Sequence, residues 1–344
     1  MAHDASQVSA ASIYQDFRTL FLRPVSGYYF FMSQKIFLSS PRGFCAGVKR
    51  AIQIVEICLQ KFGSPIFVNH EIVHNKFVVE SFKKKGVIFC DDFKKIIKTK
   101  TTKKVPIIFS AHGVNPKFYN ECLKYQDYID IVDATCPLVK NVHFQIQKLA
   151  KKDFCIFYIG KKNHQEFLGI SGLSPNIFLI ENIEQAKKID NKKFEEKKCA
   201  VFTQTTLSMD DTEKILEILK KKLINLKISK NICYATQNRQ NSIKKIAKQV
   251  DFVIVIGSKN SSNSNQLVSV AKKFCPAALY ENIEFIPKKI FDYKKIGITS
   301  GASVPDVLVQ EVIKKFKEKN PKLIIEEMKF LEERINFSID NNFF

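Results

Sequence analysis

The chain has 344 residues and is 45% hydrophobic, enough for two or three cores, and no apolar run reaches the roughly 18 residues that would span a bilayer. Its 55 Lys and Arg against 34 Asp and Glu leave a charge of +21, which suits anionic partners, yet no zinc-knuckle, RNP or basic heptad pattern marks a nucleic-acid binder. The nine cysteines are odd in number, form no Cys-x-x-Cys pair and follow no secretory leader, so they read as thiols of a reducing compartment, the cytoplasm, and not as a disulfide framework.

Residues 1–33 read as an N-terminal extension. "SGYYFF" is too short for a signal-peptide core, and Asp4 and Asp16 argue against a transit peptide. The strand "KIFLSS" follows, then a loop ending at Cys45, then apolar residues at Val48, Ala51, Ile52, Val55, Cys58, Leu59 and Phe62, the spacing of a helix. The same device recurs twice. Cys136 follows "YIDIVDAT" and precedes Val139, Val142, Ile146 and Leu149; Cys233 follows "NLKISKNI" and precedes Ile243, Ile246, Ala247 and Val250. Cys136 lies 91 residues beyond Cys45, and Cys233 lies 97 beyond Cys136.

Each helical pattern leads to an apolar run ending in a polar loop: "PIFVNHEIVHN", "CIFYIGKKNHQE" and "FVIVIGSKNSSNSN". His74, His164 and Ser261 stand 29, 28 and 28 residues after their cysteines. Third strands follow ("GVIFCDD", "IFLIENIEQ", "ALYENIEF"), then fourth strands ending in small polar residues ("VPIIFSAHG", "CAVFTQTT", "IGITSGAS"). Here His112, Thr205 and Ser303 stand 67, 69 and 70 residues after their cysteines. These offsets define a threefold repeat. The expected fold is α/β, a trefoil of three similar modules with small, mainly parallel sheets: 34–135, 136–232 and 233–318, with a C-terminal tail at 319–344. Ligands of such sheets bind at the carboxyl ends of the strands, where the named residues fall.

A cysteine at a helix N-terminus feels the positive end of the helix dipole, which favours a thiolate ligand. Three such thiolates suit a soft metal centre with one open position, able to bind a substrate oxygen and pass it electrons. Cys58, Cys90, Cys122, Cys155, Cys199 and Cys275 read as structural, and His3 and His143 as ordinary histidines. His74, His112, His164, Thr205, Ser261, Ser262, Asn263 and Ser303 offer donors for a phosphate or diphosphate. Glu166 is the one carboxylate in a repeat-equivalent loop and is the candidate proton donor, with Thr205 as its relay. "HEIVH" (His70 to His74) matches the zincin motif, but it directly follows a strand, whereas zincin chemistry needs both histidines on one helix. A second rival is a basic RNA-binding or iron–sulfur sensor protein, which would bind RNA with steep salt dependence.

The motifs "PRGFCAGVKRAI", "HEIVHN", "FSAHGV", "DATCPLVKNVH", "TQTTLS", "ICYATQNRQ", "GSKNSSNSN" and "GASVPDVLVQ" resemble the 4-hydroxy-3-methylbut-2-enyl diphosphate reductase family (IspH, or LytB) over about residues 34–315. The resemblance implies one oxygen-sensitive [4Fe–4S] cluster held by Cys45, Cys136 and Cys233. It implies a diphosphate held by His74, His112, His164, Ser261, Ser262, Asn263 and Ser303, with Glu166 as proton donor beside Thr205. The implied reaction is the last step of the non-mevalonate isoprenoid route: two electrons and two protons remove an allylic hydroxyl as water. A ferredoxin or flavodoxin would be the electron donor. The chain departs from the family's usual pattern at Gln165, where proline is frequent, and at Gln266, where arginine is frequent.

Overall fold

The computed structural model describes residues 34–92 and 104–339. The extension expected over 1–33 and the last five residues of the expected tail lie outside the described residues. In chain order the elements are β1 (Lys35–Ser40), α1 (Ala46–Phe62), β2 (Ile66–Asn69), α2 (Lys76–Lys84), β3 (Val87–Cys90), β4 (Val105–Phe109), α3 (Pro116–Leu123) and β5 (Ile129–Asp133). Next come α4 (Pro137–Ala150), β6 (Cys155–Ile159), α5 (Gln165–Ile170), β7 (Ile177–Ile180), α6 (Ile183–Lys187), β8 (Cys199–Thr203), α7 (Met209–Lys222) and β9 (Leu226–Ile228). The last module holds α8 (Tyr234–Ala247), β10 (Phe252–Ile256), α9 (Ser262–Ala271), β11 (Ala277–Tyr280), β12 (Lys295–Ser300), α10 (Asp306–Lys319) and β13 (Ile324–Lys329).

The strands form three sheets, ordered β3-β2-β4-β5, β7-β6-β8-β9 and β11-β10-β12-β1-β13. Every pairing among the described residues is parallel. Parallel sheets are covered on both faces, so their strands read as continuous apolar runs. The buried "CIFYI" of β6 and "FVIVI" of β10 show this, and each sheet carries one apolar cluster on either side. No described helix is long and apolar enough to cross a membrane.

The three orders superimpose once β1 is aligned with β5 and β9. Each of these strands occupies the same place in its sheet and leads to a cysteine that caps the next helix: β5 to Cys136, β9 to Cys233 and β1 to Cys45. The strand "KIFLSS", expected in the module at 34–135, therefore lies in the third sheet. Its pairing with β12 and β13 runs Ile36 against Ile296 and Ile325. A strand flanked on both edges buries its main-chain groups better than one left at an edge.

The segment expected as a tail from 319 is also built in. β13 extends the third sheet, and the chain beyond it runs on without regular structure. Phe330 N–H donates to Ser40 O at 2.8 Å, and Arg50 Nε donates to Ser338 O at 3.3 Å. Arg239, with no exposed surface, donates through Nη1 to Glu333 Oε1 at 2.9 Å and through Nη2 to Gly43 O at 2.8 Å. Asn238 donates to the same Glu333 oxygen at 3.1 Å. Ile339 packs on the core of the first module. The sequence hides this segment because β13 is mostly solvent-facing and carries Glu326, Glu327 and Lys329 among its six residues, so its apolar pattern is weak.

Removing one partner of a buried ion pair leaves the other charge uncompensated, at a cost of about 3–5 kcal/mol. Glu333→Ala is therefore expected to lower stability by about 3 kcal/mol. The measurement is the denaturant midpoint, and an unchanged midpoint would show that the clamp carries nothing.

Candidate active site

Cys45, Cys136 and Cys233 are the N-cap residues of α1, α4 and α8, and all three line one cavity where the modules meet. A methyl group on Gly47 would lie 2.6 Å from the Cys136 sulfur and 3.9 Å from the Cys45 sulfur, so the first turn of α1 must be bare for both to fit. All nine cysteines are free thiols. Cys58, Cys122, Cys155 and Cys199 are buried in the cores.

The thiols do not behave as helix dipoles alone would have them. Burial, then repulsion from Cys45, pushes the Cys136 thiol up to about 12; backbone N–H groups of Leu138 and Val139 pull the other way and lose. Burial and Cys45 likewise push Cys233 up to about 11. Desolvating a thiolate outweighs the partial charge of a helix end, which corrects the simple dipole argument. A positive centre among the sulfurs would reverse the balance, because a thiol that coordinates a metal releases its proton to solvent. Among the described residues no group of three His, Cys, Asp or Glu is arranged to hold a metal ion. One tetrahedral ion would need its ligand atoms within about 4 Å of each other, given metal–sulfur bonds of about 2.3 Å. A multi-iron cluster, binding each thiolate through a different iron, tolerates wider spacing.

Opposite the sulfurs stand three histidines. The His74 and His112 rings stack with centroids 4.1 Å apart, and His164 meets them edge-on at 5.9 and 6.1 Å. His164 caps α5: its Nδ1 accepts the Glu166 N–H at 3.2 Å, which leaves the ring proton on Nε2. Burial, then neighbouring imidazoles, depresses His164 to about 4 and His112 well below its ordinary value. The His112 and His164 rings are thus biased to the neutral form and offer N–H donors that an incoming anion would strengthen. Gln165 opens α5 without disturbing the cap, so the missing proline leaves the His164–Glu166 turn intact.

The third side comes from α9 and the β12 loop. Ser261 caps α9, accepting from Ser264 N–H at 3.3 Å. Ser262 Oγ donates to Thr206 O and accepts from Gln204, both at 3.1 Å. Ser303 Oγ donates to His74 O at 3.1 Å, tying the third module to the first. Asn263 is buried with both side-chain polar atoms unpaired, a donor and an acceptor turned to the cavity. Such groups cost free energy unless a ligand or water meets them. Gln266 lies away from this cavity, in a cleft beside Gly160 and Ser208.

Glu166 and Thr205 close the site. Glu166 Oε1 accepts from Thr205 Oγ1 at 2.6 Å and Oε2 from Thr205 N–H at 2.9 Å; both residues are buried. Burial raises the Glu166 carboxyl, and the two Thr205 bonds only partly offset it. Thr205 O in turn accepts from Cys233 N–H at 2.9 Å, linking the carboxylate to the sulfur side. All twelve residues singled out in the sequence line this one cavity.

The zincin alternative does not survive the geometry. Residues 70–75 form a loop, His70 pairs with Asp91 at 3.2 Å, and His74 pairs with Glu71 at 3.2 Å, so no helix face presents both histidines. Sequence reasoning missed Tyr234 and Phe337, which also line the cavity. Tyr234 could be suspected from its place after Cys233; Phe337 belongs to a segment with no periodic signal. His143 is not an ordinary surface histidine either. Its ring is wedged between Gly113 and Gly169, where an added Cβ would approach within 3.0 Å of it on either side. It spaces the His112 loop from the Glu166 helix.

A three-module α/β fold that gathers three free thiols, a histidine cluster and a buried carboxyl at strand ends has the makings of an enzyme active site. The LytB protein family matches residues 36–317, and the chain belongs to that family. It is 40% identical over 310 residues to the 4-hydroxy-3-methylbut-2-enyl diphosphate reductase of Neorickettsia sennetsu, covering 89% of this chain and 99% of that protein. It is 43% identical over 311 residues to the enzyme of the same name from Chlamydia trachomatis, covering 89% and 98%. The solved structure of the E-1-hydroxy-2-methyl-but-2-enyl-4-diphosphate reductase from Plasmodium falciparum matches with a TM-score of 0.84 and 35% identity, over 90% of this chain and 97% of that one. A second solved structure, of (E)-4-hydroxy-3-methyl-but-2-enyl diphosphate reductase, matches with a TM-score of 0.58 and 29% identity, over 83% and 99%.

Gly47→Ala is favoured by helix propensity yet drives a methyl into the Cys136 sulfur. The expected outcome is native circular dichroism with markedly less iron bound per chain after anaerobic loading. Full iron content would show that the sulfurs are not confined as described.

Proposed function

We propose that this chain catalyses the reductive dehydroxylation of 4-hydroxy-3-methylbut-2-enyl diphosphate to isopentenyl and dimethylallyl diphosphate, the last step of the non-mevalonate isoprenoid route. The observation that carries the reading is the meeting of three repeat-related thiols and a buried glutamate–threonine pair in one cavity. Cys45, Cys136 and Cys233 are the proposed ligands of a [4Fe–4S] cluster. Such a cluster, with one iron free of protein ligand, supplies single electrons and a Lewis-acid position for a substrate oxygen.

The protein's own part is positioning and proton supply. His74, His112 and His164 donate to the diphosphate, His112 and His164 as neutral imidazoles, joined by Ser261, Ser262, Ser303 and the unpaired amide of Asn263. Holding the charged end fixes the allylic end near the sulfurs, which is the entropic share of catalysis. Glu166, biased to its protonated form by burial, delivers a proton, and the hydroxyl of Thr205 lies 2.6 Å away to pass it on. The balance is complete: two electrons and two protons enter, a C–O bond breaks, a C–H bond forms and water leaves. Phe337 of the C-terminal segment adds an apolar ring to the cavity lining. The nine free thiols suit a reducing compartment such as the cytoplasm. An acidic ferredoxin or flavodoxin suits the +21 charge as the electron donor.

The test is anaerobic: iron and sulfide are supplied, reduced viologen is added, and consumption of the hydroxylated diphosphate is followed. Glu166→Gln is expected to lower kcat about 100-fold or more with little change in KM, and Cys136→Ser to abolish turnover and cluster binding. Full turnover by Cys136→Ser would overturn the ligand assignment. Raising ionic strength should slow turnover driven by a protein donor more than turnover driven by dye. Equal sensitivity would remove the charge-steered donor.

A further inference from the structure

Tyr158 stands on β6 with no exposed surface, on the face covered by α4 and α5. Its ring stacks on Phe167 at 5.8 Å and fills the space above Gly160, where an added Cβ would lie 2.6 Å from ring carbon Cε1. Its neighbours in that core are otherwise apolar, among them Ile146, Ile170 and Phe202. The phenol oxygen lies beside the Glu166 carboxyl, near enough to act on it as a hydrogen-bonding neighbour, yet it forms no hydrogen bond of full geometry with any described group. A buried tyrosine normally finds a partner for its hydroxyl, and one that does not costs free energy that phenylalanine would avoid.

We propose that Tyr158 is a positioning residue for the proton-delivering carboxylate, its O–H donating to Glu166 once that group has ionised. This rests on the reading of Glu166 as the proton donor. The N–H and O–H of Thr205 each donate to one oxygen of Glu166, and the phenol stops short of a well-formed bond to either. When the proton of Glu166 leaves and the C–H bond of the product forms, the charge left on the carboxylate calls for a further donor, and Tyr158 stands beside it. The phenol does not surrender its own proton, because burial and the neighbouring carboxylate hold it well above its ordinary range. The carboxylate regains its proton from solvent water between turnovers. A donor that engages only after transfer stabilises the transition state more than the ground state, which raises kcat and leaves KM alone.

The test uses the cluster-loaded enzyme. The infrared carboxyl band of Glu166 is first identified by its loss in Glu166→Gln. Tyr158→Phe is then expected to shift that band and to lower kcat about tenfold at unchanged KM, with iron content and cluster absorption as in the wild type. Incorporation of 3-fluorotyrosine at position 158, a stronger donor in the same ring, should move the band the opposite way, a readout that holds even if the phenylalanine variant folds poorly. An unmoved band in both, or an effect confined to KM, would overturn the proposal. Wild-type turnover by Glu166→Gln would instead overturn the proton-donor reading itself, and with it the catalytic meaning of the contact.

Discussion

Three thiols enclosed in one cavity repel one another as soon as more than one ionises, and burial penalises even the first. Helix N-termini cannot offset this: Cys136 and Cys233 stand at such termini and are still pushed up to about 12 and about 11. The site is consequently held by a balance that only positive charge among the sulfurs can tip. Because the three cysteines come from three modules, a cluster held by all of them, as proposed, would also tie the modules together.

The rest of the cavity divides into groups that are satisfied and groups that are held in reserve. Ser261, Ser262, Ser303 and Thr205 each have partners within the protein, which fixes them in place. Asn263 is buried with both side-chain polar atoms unpaired. The satisfied groups supply rigidity, and the unpaired amide is left to meet a ligand. Around this lies a structural shell in which Arg239, Arg50 and the His143 wedge lock the modules and the C-terminal segment together.

How much of this could be read from residues alone follows from the range of the forces involved. The threefold repeat was legible because every module places a small set of polar residues at strand ends with constant offsets, and buried parallel strands leave unbroken apolar runs such as "FVIVI". The whole cavity lining of cysteines, histidines, serines and Glu166 came from that regularity. Pairing between distant strands was not legible: nothing local to "KIFLSS" says that Lys35 pairs with Lys295 of β12 and Ile324 of β13, 260 and 289 residues on. Nor does any local pattern place Phe337 at the cavity or Glu333 on Arg239. The direction of the thiol shifts was misjudged for the same reason, since desolvation depends on what packs around a sulfur and not on its position in a helix.

The seating of β1 between β12 and β13 has a bearing on how the molecule comes into being. A ribosome makes residues 35–40 early and 324–329 near the end, so the opening strand must wait, unpaired, for almost the whole of synthesis before its sheet exists. The first two sheets can close behind it as they emerge. Cys45, carried just beyond the end of that strand, cannot be fixed at the cavity before the third sheet forms.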